Sequence, residues 1–432
     1  MTSELFAELY ARGRVAAELG DAAWVRAMLD VEAALARACA AEGLIPASSA
    51  QEIAAACVEP VPLGPLRDGV GDSATPVIAL VRELRERLGE SARPHVHVGA
   101  TSQDILDTAL MLMAQRALRP LLDDAAACAR AAAGLADRHR ATAMIGRTLL
   151  AQAVATTFGL RAAVWLDGID EALGALRRVR DNELAVQLGG PVGAGSPALA
   201  RRVAAELGLA EPALPWHAMR VRPAALACAL GALCGVLSKI ARDVTLLAQQ
   251  EVGECSEGPG PDPGRPRGGS SAMAHKRNPV ASVAVIACAR RAPGLVATIL
   301  ACMEQEHERA AGAWQAEWAT HTELLALAGS AAAWGRDLLE GLKVDPERMR
   351  RNLAEAPAGS QSPPEAASEL IDRALAAHEA AEQREAERAR AARTESPAGA
   401  RAQSPAGARA QSPGARAEPR GGVARTGSRG VA

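Results

Sequence analysis

Residues 101–120 read TSQDILDTALMLMAQRALRP. Thr101 and Asp104 stand three apart at the head of this stretch, the spacing of a capping pair, and the charge of Asp104 suits a helix N-terminus. Ile105, Ala109, Leu112 and Met113 then recur at the spacing of one helical face. A long helix therefore starts at Thr101, with Pro120 expected to bend or interrupt it. Outward from it, Leu5, Leu9, Val15, Trp24, Met28, Val31 and Leu35 keep helical spacing over residues 3–43. Prolines at 46, 60, 62 and 65 separate that unit from a further helix near Thr75–Leu88. Helix-like patterns continue over 151–180, 197–207, 223–251, 279–304 and 320–342, with a turn at Gly189-Gly190-Pro191 and a larger break over 258–269. Segments this long and alanine-rich predict a bundle of extended helices.

Composition supports that class. Of 432 residues, 49% are hydrophobic but only 2% aromatic, so the core is built from Ala, Leu and Val. Such a core favours helices over strands, which lean on β-branched and aromatic side chains. The length allows two or three structural units. A formal net charge of -2 gives no reason to expect nucleic acid or an acidic membrane as partner. The eight cysteines form no C-x-x-C pair and no signal peptide is evident, which points to reduced thiols in a cytoplasm. The most apolar run, 223–237, is short for a bilayer span and is followed by Lys239, so a soluble protein is expected.

The expected organisation is an N-terminal helical domain over 1–100, a central bundle over 101–350 with a loop at 255–279, and a short C-terminal helical domain over 351–393. The stretch APAGSQSPP at 356–364 interrupts the helical pattern, and a helix follows over 366–393. From 394 the near repeat SPAGARAQ, SPAGARAQ, SPGARAE has almost nothing to bury and reads as a disordered tail.

Residues 268–280, GGSSAMAHKRNPV, concentrate the polar chemistry. Gly268 and Gly269 permit close approach and movement, and Pro279 fits the first turn of the next helix. That N-terminus, with Lys276 and Asn278 beside it, is suited to hold an anion such as a carboxylate. Ser270, among backbone amides and near an ammonium, loses its proton more easily than in water. The histidines lack ligand spacing and Glu251 with Glu254 has no nearby partner, so no metal is expected. The glycine-rich 253–264 lacks the G-K-[ST] ending of a phosphate loop.

The order GSSAM-AH-KRNPV resembles the signature loop of the fumarase/aspartase superfamily, G-S-S-x-M-P-x-K-x-N-P. His97-Val-Gly-Ala-Thr101-Ser102-Gln-Asp104-Ile-Leu-Asp107-Thr108 resembles its H-x-G-x-T-S-x-D-x-x-D-T segment, and Gly146-Arg147-Thr148-Leu-Leu-Ala151-Gln152-Ala153 its G-R-T-x-x-Q-x-A segment. The resemblance covers about residues 1–350. It implies an all-α, fumarase/aspartase-like fold, a central bundle of long helices with smaller helical N- and C-terminal domains. It also implies a homotetramer with active sites shared between chains, a polycarboxylate substrate and no cofactor. Ser270 matches the proton-exchanging serine, Lys276 and Asn278 match carboxylate-binding residues, and Thr101, Ser102, Arg147 and Thr148 match the substrate lining. His97 matches a substrate-contacting histidine, and Arg309 a position that faces a substrate carboxylate. The alternative for His97 is a structural hydrogen bond, and for Arg309 an ion pair with Glu306 or Glu308.

Departures from the pattern bear on the substrate. Many lyases of this superfamily, adenylosuccinate lyase among them, carry a histidine after G-R-T, where this chain has Leu149, and another in the segment that here reads GDSATPVIALV. Such acids serve a poor leaving group, whereas a reacting carboxylate is already ionised at neutral pH. With LGGPVGAGS, LPWHAMR and QEHERAAGAWQAEW, this resembles the lactonising 3-carboxy-cis,cis-muconate cycloisomerase branch. The family glutamine falls on Ala151, with Gln152 one place late and turned elsewhere on the expected helix, and the loop proline is Ala274. These changes, with the short C-terminal region, leave an adenylosuccinate lyase-type enzyme and a non-catalytic member as alternatives. His217 is read as a packing residue or a branch-specific contact, His275 as a bystander, and Trp314 and Trp318 as core.

Overall fold

The computed structural model describes residues 4–260, 267–273, 275–356 and 362–395, without the side chains of 392–395. It divides into two units, Met1–Ala381 and Glu382–Ala432. Ala274, most of 356–364 and nearly all of the repeat tail fall outside the described residues.

In chain order the helices are α1 (Ala7–Tyr10), α2 (Asp21–Ala41), α3 (Ala47–Ala56), α4 (Leu63–Ser73), α5 (Val77–Glu86) and α6 (Ser102–Arg138), followed by the strands β1 (Ala143–Thr148) and β2 (Ala151–Thr157). Then come α7 (Phe158–Asn182), α8 (Pro197–Leu207), α9 (Val221–Leu247), β3 (Cys255–Ser256), α10 (Val280–Ala301), α11 (Ala313–Glu340), β4 (Lys343–Val344), α12 (Pro346–Ala354) and α13 (Ala367–Glu395). Helices α6, α7, α9, α10 and α11 pack along one another as the central bundle. Its core is alanine and leucine, with Ala109, Leu118, Ala129, Leu166, Leu230, Leu324 and Ala331 all buried. Small side chains let these helices approach closely, so low aromatic content and long helices are one fact.

Four sequence expectations are corrected. The N-terminal pattern over 3–43 is broken: Gly13 and Gly20 take φ of 87° and 104°, and the regular helix begins only at Asp21. Pro120 does not interrupt α6, which runs from Ser102 to Arg138 with Pro120 buried inside it. A proline removes one helical hydrogen bond, and the buried flanks of α6 outweigh that loss. Residues 151–157 are not helical but pair with 143–148 as a two-stranded antiparallel hairpin; the helix starts at Phe158. Finally, helices α9 and α10, at 27 and 22 residues, are long and apolar enough to cross a bilayer by length and composition, so 223–237 was too narrow a window. Here α9 is a core helix, packed against α7, α10 and α11.

The bundle also sets distances between motifs. Trp314 at the start of α11 reaches Asp107 near the start of α6, so these two helices run in parallel. Helix α10 runs back toward that point, because it joins α11 through residues 302–312. At 1.5 Å per residue α10 is about 33 Å long and α6 about 55 Å. The loop before Val280 therefore lies at the opposite end of the bundle from Thr101.

Candidate active site

The end at Thr101 is built on buried carboxylates. Asp104, wholly buried, accepts from the Thr101 backbone N–H at 2.9 Å, which is the reciprocal half of the expected capping box. It also accepts from the amides of Gly189 and Gly190, each at 2.9 Å, and lies 2.7 Å from His217 Nε2. One side chain thus pins the helix start, the 189–190 turn and the 217 loop together. His217 is buried and bonded to Asp104, the arrangement a packing residue would have. Three residues on, Asp107 accepts from Arg220 at 2.6 and 3.0 Å, and Arg220 also binds Glu317 through contacts of 2.5 to 3.2 Å. Burial alone would lower the Arg220 pKa, but the charges and hydrogen bonds of Asp107 and Glu317 outweigh it and hold the guanidinium protonated. Trp314 donates to Asp107 and Trp318 stacks edge-on against Trp314, so both tryptophans belong to the core, as expected.

On this base sit four of the residues singled out from sequence. Thr101 and Ser102 are half-buried at the head of α6. His97 has a left-handed backbone, φ 67°, and its Nδ1 lies 2.7 Å from Glu32 Oε1. Burial works against its protonation, but Glu32 and, more weakly, Asp104 raise its pKa above the ordinary histidine value. Arg309 does not pair with Glu306 or Glu308: its Nε donates to Gln103 Oε1 at 3.1 Å and Nη2 to the Pro191 carbonyl at 3.4 Å. That contact ties the segment before α11 to the head of α6.

At the far end, the serine loop closes on itself. The Asn278 amide donates to the Gly268 carbonyl at 2.8 Å, and Asn278 Nδ2 reaches the Gly269 carbonyl at 3.4 Å. Gly268 has φ +89°, and a Cβ there would stand 2.5 Å from the Asn278 carbonyl oxygen, so this neck admits only glycine. Ser270 Oγ accepts from the amides of Ala272 and Met273, at 3.3 and 3.1 Å. Lys276 is exposed, and no described residue pairs with its ammonium; His275 is exposed as well. The helix N-terminus expected to hold an anion such as a substrate carboxylate is taken by the chain's own Glu257, which accepts from Ala281 and Ser282 at 2.9 and 2.8 Å. Any anion at this loop must rely on Lys276, Asn278 and the loop amides instead.

Arg147 and Thr148 end β1. Arg147 makes a two-pronged ion pair with buried Glu254, 2.9 Å on each side, and Asn352 Nδ2 donates to the same carboxylate at 2.7 Å. Glu254, considered from sequence only as a metal ligand, is thus the anchor of the hairpin. Leu149 and Leu150 form the turn, with φ 51° and 68°, and stand exposed, as does Val154 further along β2. Because 151–157 is a strand, Gln152 opposes Arg147 across the hairpin, while Ala151 opposes Thr148. In a strand a shift of one place turns a side chain to the other face.

Two carboxylates escaped the sequence reading as partners of site residues: Glu32 and Glu257. Glu32 carried a signal, since it sits four residues from Met28 on the buried stripe of α2, where a lone charge needs a partner. Glu257 carried none, because its contact spans a long loop. Among the described residues no group of three or more His, Cys, Asp or Glu side chains could hold a metal ion. An apolar cleft of about 210 Å³, lined by Trp24, Met28, Leu66, Leu106 and Trp318 among others, contains none of the candidate substrate-contacting residues.

Comparison with known proteins agrees with this frame. Residues 2–294 match the family described as Lyase. The chain is 44% identical over 362 residues to a 3-carboxy-cis,cis-muconate cycloisomerase of Pseudomonas aeruginosa, covering 81% of this chain and 78% of the relative. It is 42% identical over 373 residues to a nitrosuccinate lyase of Streptomyces davaonensis, covering 81% and 77%. The crystal structure of a 3-carboxy-cis,cis-muconate lactonizing enzyme from Pseudomonas putida superimposes with a TM-score of 0.77 at 34% identity, covering 92% of each chain. A helical bundle carrying three separated motifs, and a match over most of its length, make this chain a member of the lyase family of the fumarase/aspartase superfamily.

Proposed function

We propose that the protein is a 3-carboxy-cis,cis-muconate cycloisomerase of aromatic catabolism. One carboxylate of the substrate adds to the substrate's own double bond and closes a lactone. The displaced electron pair enters a neighbouring carboxylate as an aci-carboxylate, and Ser270 delivers a proton to carbon, giving 4-carboxymuconolactone. The observation that carries this reading is Ser270 Oγ facing two backbone amides in a glycine-necked loop, with Lys276, whose ammonium pairs with no described residue, in the same loop. Amides aimed at the serine oxygen favour its ionised form once the proton has left, and an intramolecular nucleophile supplies proximity. Lys276 and Asn278 hold the carboxylate that takes up charge. Thr101, Ser102, Thr148, His97 and Arg309 line the substrate, and Arg147 acts through Glu254 as a positioning residue for Thr148.

Leu149 at the hairpin turn leaves no acid there for an amine leaving group, which argues against an adenylosuccinate lyase-type activity. Loss of nitrite from nitrosuccinate needs no such acid either. The 42% identity to a nitrosuccinate lyase makes that the second reading.

We also infer a cytoplasmic homotetramer with shared sites. One chain holds Thr101 and Ser270 at opposite ends of a bundle, so neither can serve the other within it. The exposed Leu149, Leu150 and Val154 offer a second chain something to cover. The eight unpaired cysteines fit a reducing compartment.

The deciding experiment adds 3-carboxy-cis,cis-muconate and follows its conjugated-diene absorbance, with nitrosuccinate and adenylosuccinate in parallel. Loss of absorbance with lactone formation is expected; a well-folded protein that acts only on nitrosuccinate establishes the second reading. Inertness toward all of them leaves a non-catalytic member of the fold.

A further inference from the structure

Glu32 is a single carboxylate on the apolar face of α2, 1% exposed, among Met28, Leu29, Val31 and Leu35. Its Oε1 meets His97 Nδ1 at 2.7 Å, while its Oε2 is buried without any hydrogen-bond partner. No lysine or arginine pairs with it among the described residues; its only ion-pair partner is His97. Burying a carboxylate costs several kcal/mol unless a positive charge answers it, so a neutral side chain would serve packing better. His97 in turn stands four residues before Thr101 on a left-handed backbone, itself a cost for a residue with a Cβ. Its side chain keeps 17% exposure, and its Nε2 has no partner among the described residues. The imidazole is thus held through Nδ1 by Glu32, with Nε2 left for another partner.

We propose that Glu32 is a positioning residue that holds His97 as a cationic donor, so that His97 Nε2–H grips one carboxylate of a polycarboxylate substrate at the Thr101–Ser102 end of the site. The proposal rests on the reading of that end as substrate lining and adds the group that sets its charge. A neutral histidine could offer the same N–H without the charge, and a substrate with several carboxylates is the ligand for which that charge matters. The charged groups facing His97 are Glu32 from α2, Asp104 from α6 and Arg85 from α5. The two carboxylates favour the imidazolium and Arg85 opposes it. Cys39, also on α2, has its thiol pushed up to about 11 by burial and then by Glu32, so it stays neutral and does not compete.

Glu32→Gln keeps the shape and a hydrogen bond but removes the charge. In that variant the His97 ring resonance, assigned by its loss in His97→Gln, should titrate at least one pH unit lower than in the parent, about tenfold less imidazolium at a given alkaline pH. Affinity for propane-1,2,3-tricarboxylate, used as a stable probe, should fall about tenfold at pH 8 and return toward the parent value at pH 6, tracking protonation. Under turnover of 3-carboxy-cis,cis-muconate the same variant should raise KM in that pH-dependent way and leave kcat within about threefold. His97→Gln should lose affinity at both pH values. An unchanged His97 titration, or an equal loss at pH 6 and pH 8, overturns the proposal and leaves Glu32 as packing. If Glu32→Gln does not fold, the parent decides: His97 titrating at or below the ordinary histidine value overturns it, and a raised value with tighter probe binding at pH 6 than at pH 8 supports it. Failure of the parent to turn over 3-carboxy-cis,cis-muconate sinks the cycloisomerase reading alone, because the titration and the probe affinity still judge Glu32.

Discussion

The two ends of the bundle are built on opposite principles. At the head of α6 the described carboxylates are answered inside the chain: Asp104 by amides and His217, Asp107 and Glu317 by Arg220, Glu32 by His97. At the serine loop the reactive groups stand in the open, Ser270 held only by local amides and Lys276 by nothing described. The first end is a preorganised wall whose geometry is set by folding. The second is a loop whose own hydrogen bonds fix its neck and the serine oxygen but leave its ammonium to solvent among the described residues. In the proposed shared site these two ends would meet, the preorganised wall from one chain and the serine loop from another.

The comparison can be broken most sharply at the open end. Ser270→Ala should lower kcat on 3-carboxy-cis,cis-muconate by about a thousandfold or more, the scale of a lost proton donor, without changing stability. Circular dichroism melting beside steady-state assays checks it; retention of most activity removes Ser270 from the chemistry. The next largest effect belongs to the packed end. Arg220→Met leaves Asp107 and Glu317 as uncompensated buried anions and should destabilise the fold by about 3–5 kcal/mol in urea unfolding. A loss under 1 kcal/mol, roughly the worth of a surface pair, would mean the network is not what sets that end.

A third change separates loop geometry from stability. Gly268→Ala places a Cβ against the Asn278 carbonyl at positive φ, a strain of about 1–3 kcal/mol confined to the loop. Turnover should fall about tenfold or more while the melting temperature barely moves. A smaller effect concerns pH. His321 is fully buried, neither ring nitrogen has a hydrogen-bond partner among the described residues, and burial followed by the nearby Arg220 charge lowers its pKa to about 3. The unfolded chain binds this proton below about pH 6.5 and the folded chain does not, so stability is complete above that pH. It is then lost by up to about 1.4 kcal/mol per pH unit on acidification toward pH 3. His321→Phe should flatten that slope in unfolding measured between pH 4.5 and 7; an unchanged slope shows that His321 finds a partner on protonation.

Much of this molecule was legible in one dimension. The recurrence of apolar residues after Thr101, the alanine-rich composition and the near absence of aromatics determined a bundle of long helices. The order of residues from Gly268 to Val280 determined a glycine-necked polar loop ahead of a helix. These features are local, and periodicity and turn chemistry are local properties. Residues 151–157 were misread as helix because short runs of small and β-branched residues do not declare their period, and the partner strand 143–148 decides their state. Pro120 was misread because burial along α6 repaid a missing hydrogen bond that propensity alone counts against it. The tertiary structure alone decided which charge answers which: Glu32 with His97 across 65 positions, Arg147 with Glu254 across 107, and Arg220 with Asp107 across 113. A buried charge must find its counterion wherever the fold brings one, and sequence spacing carries no record of that choice.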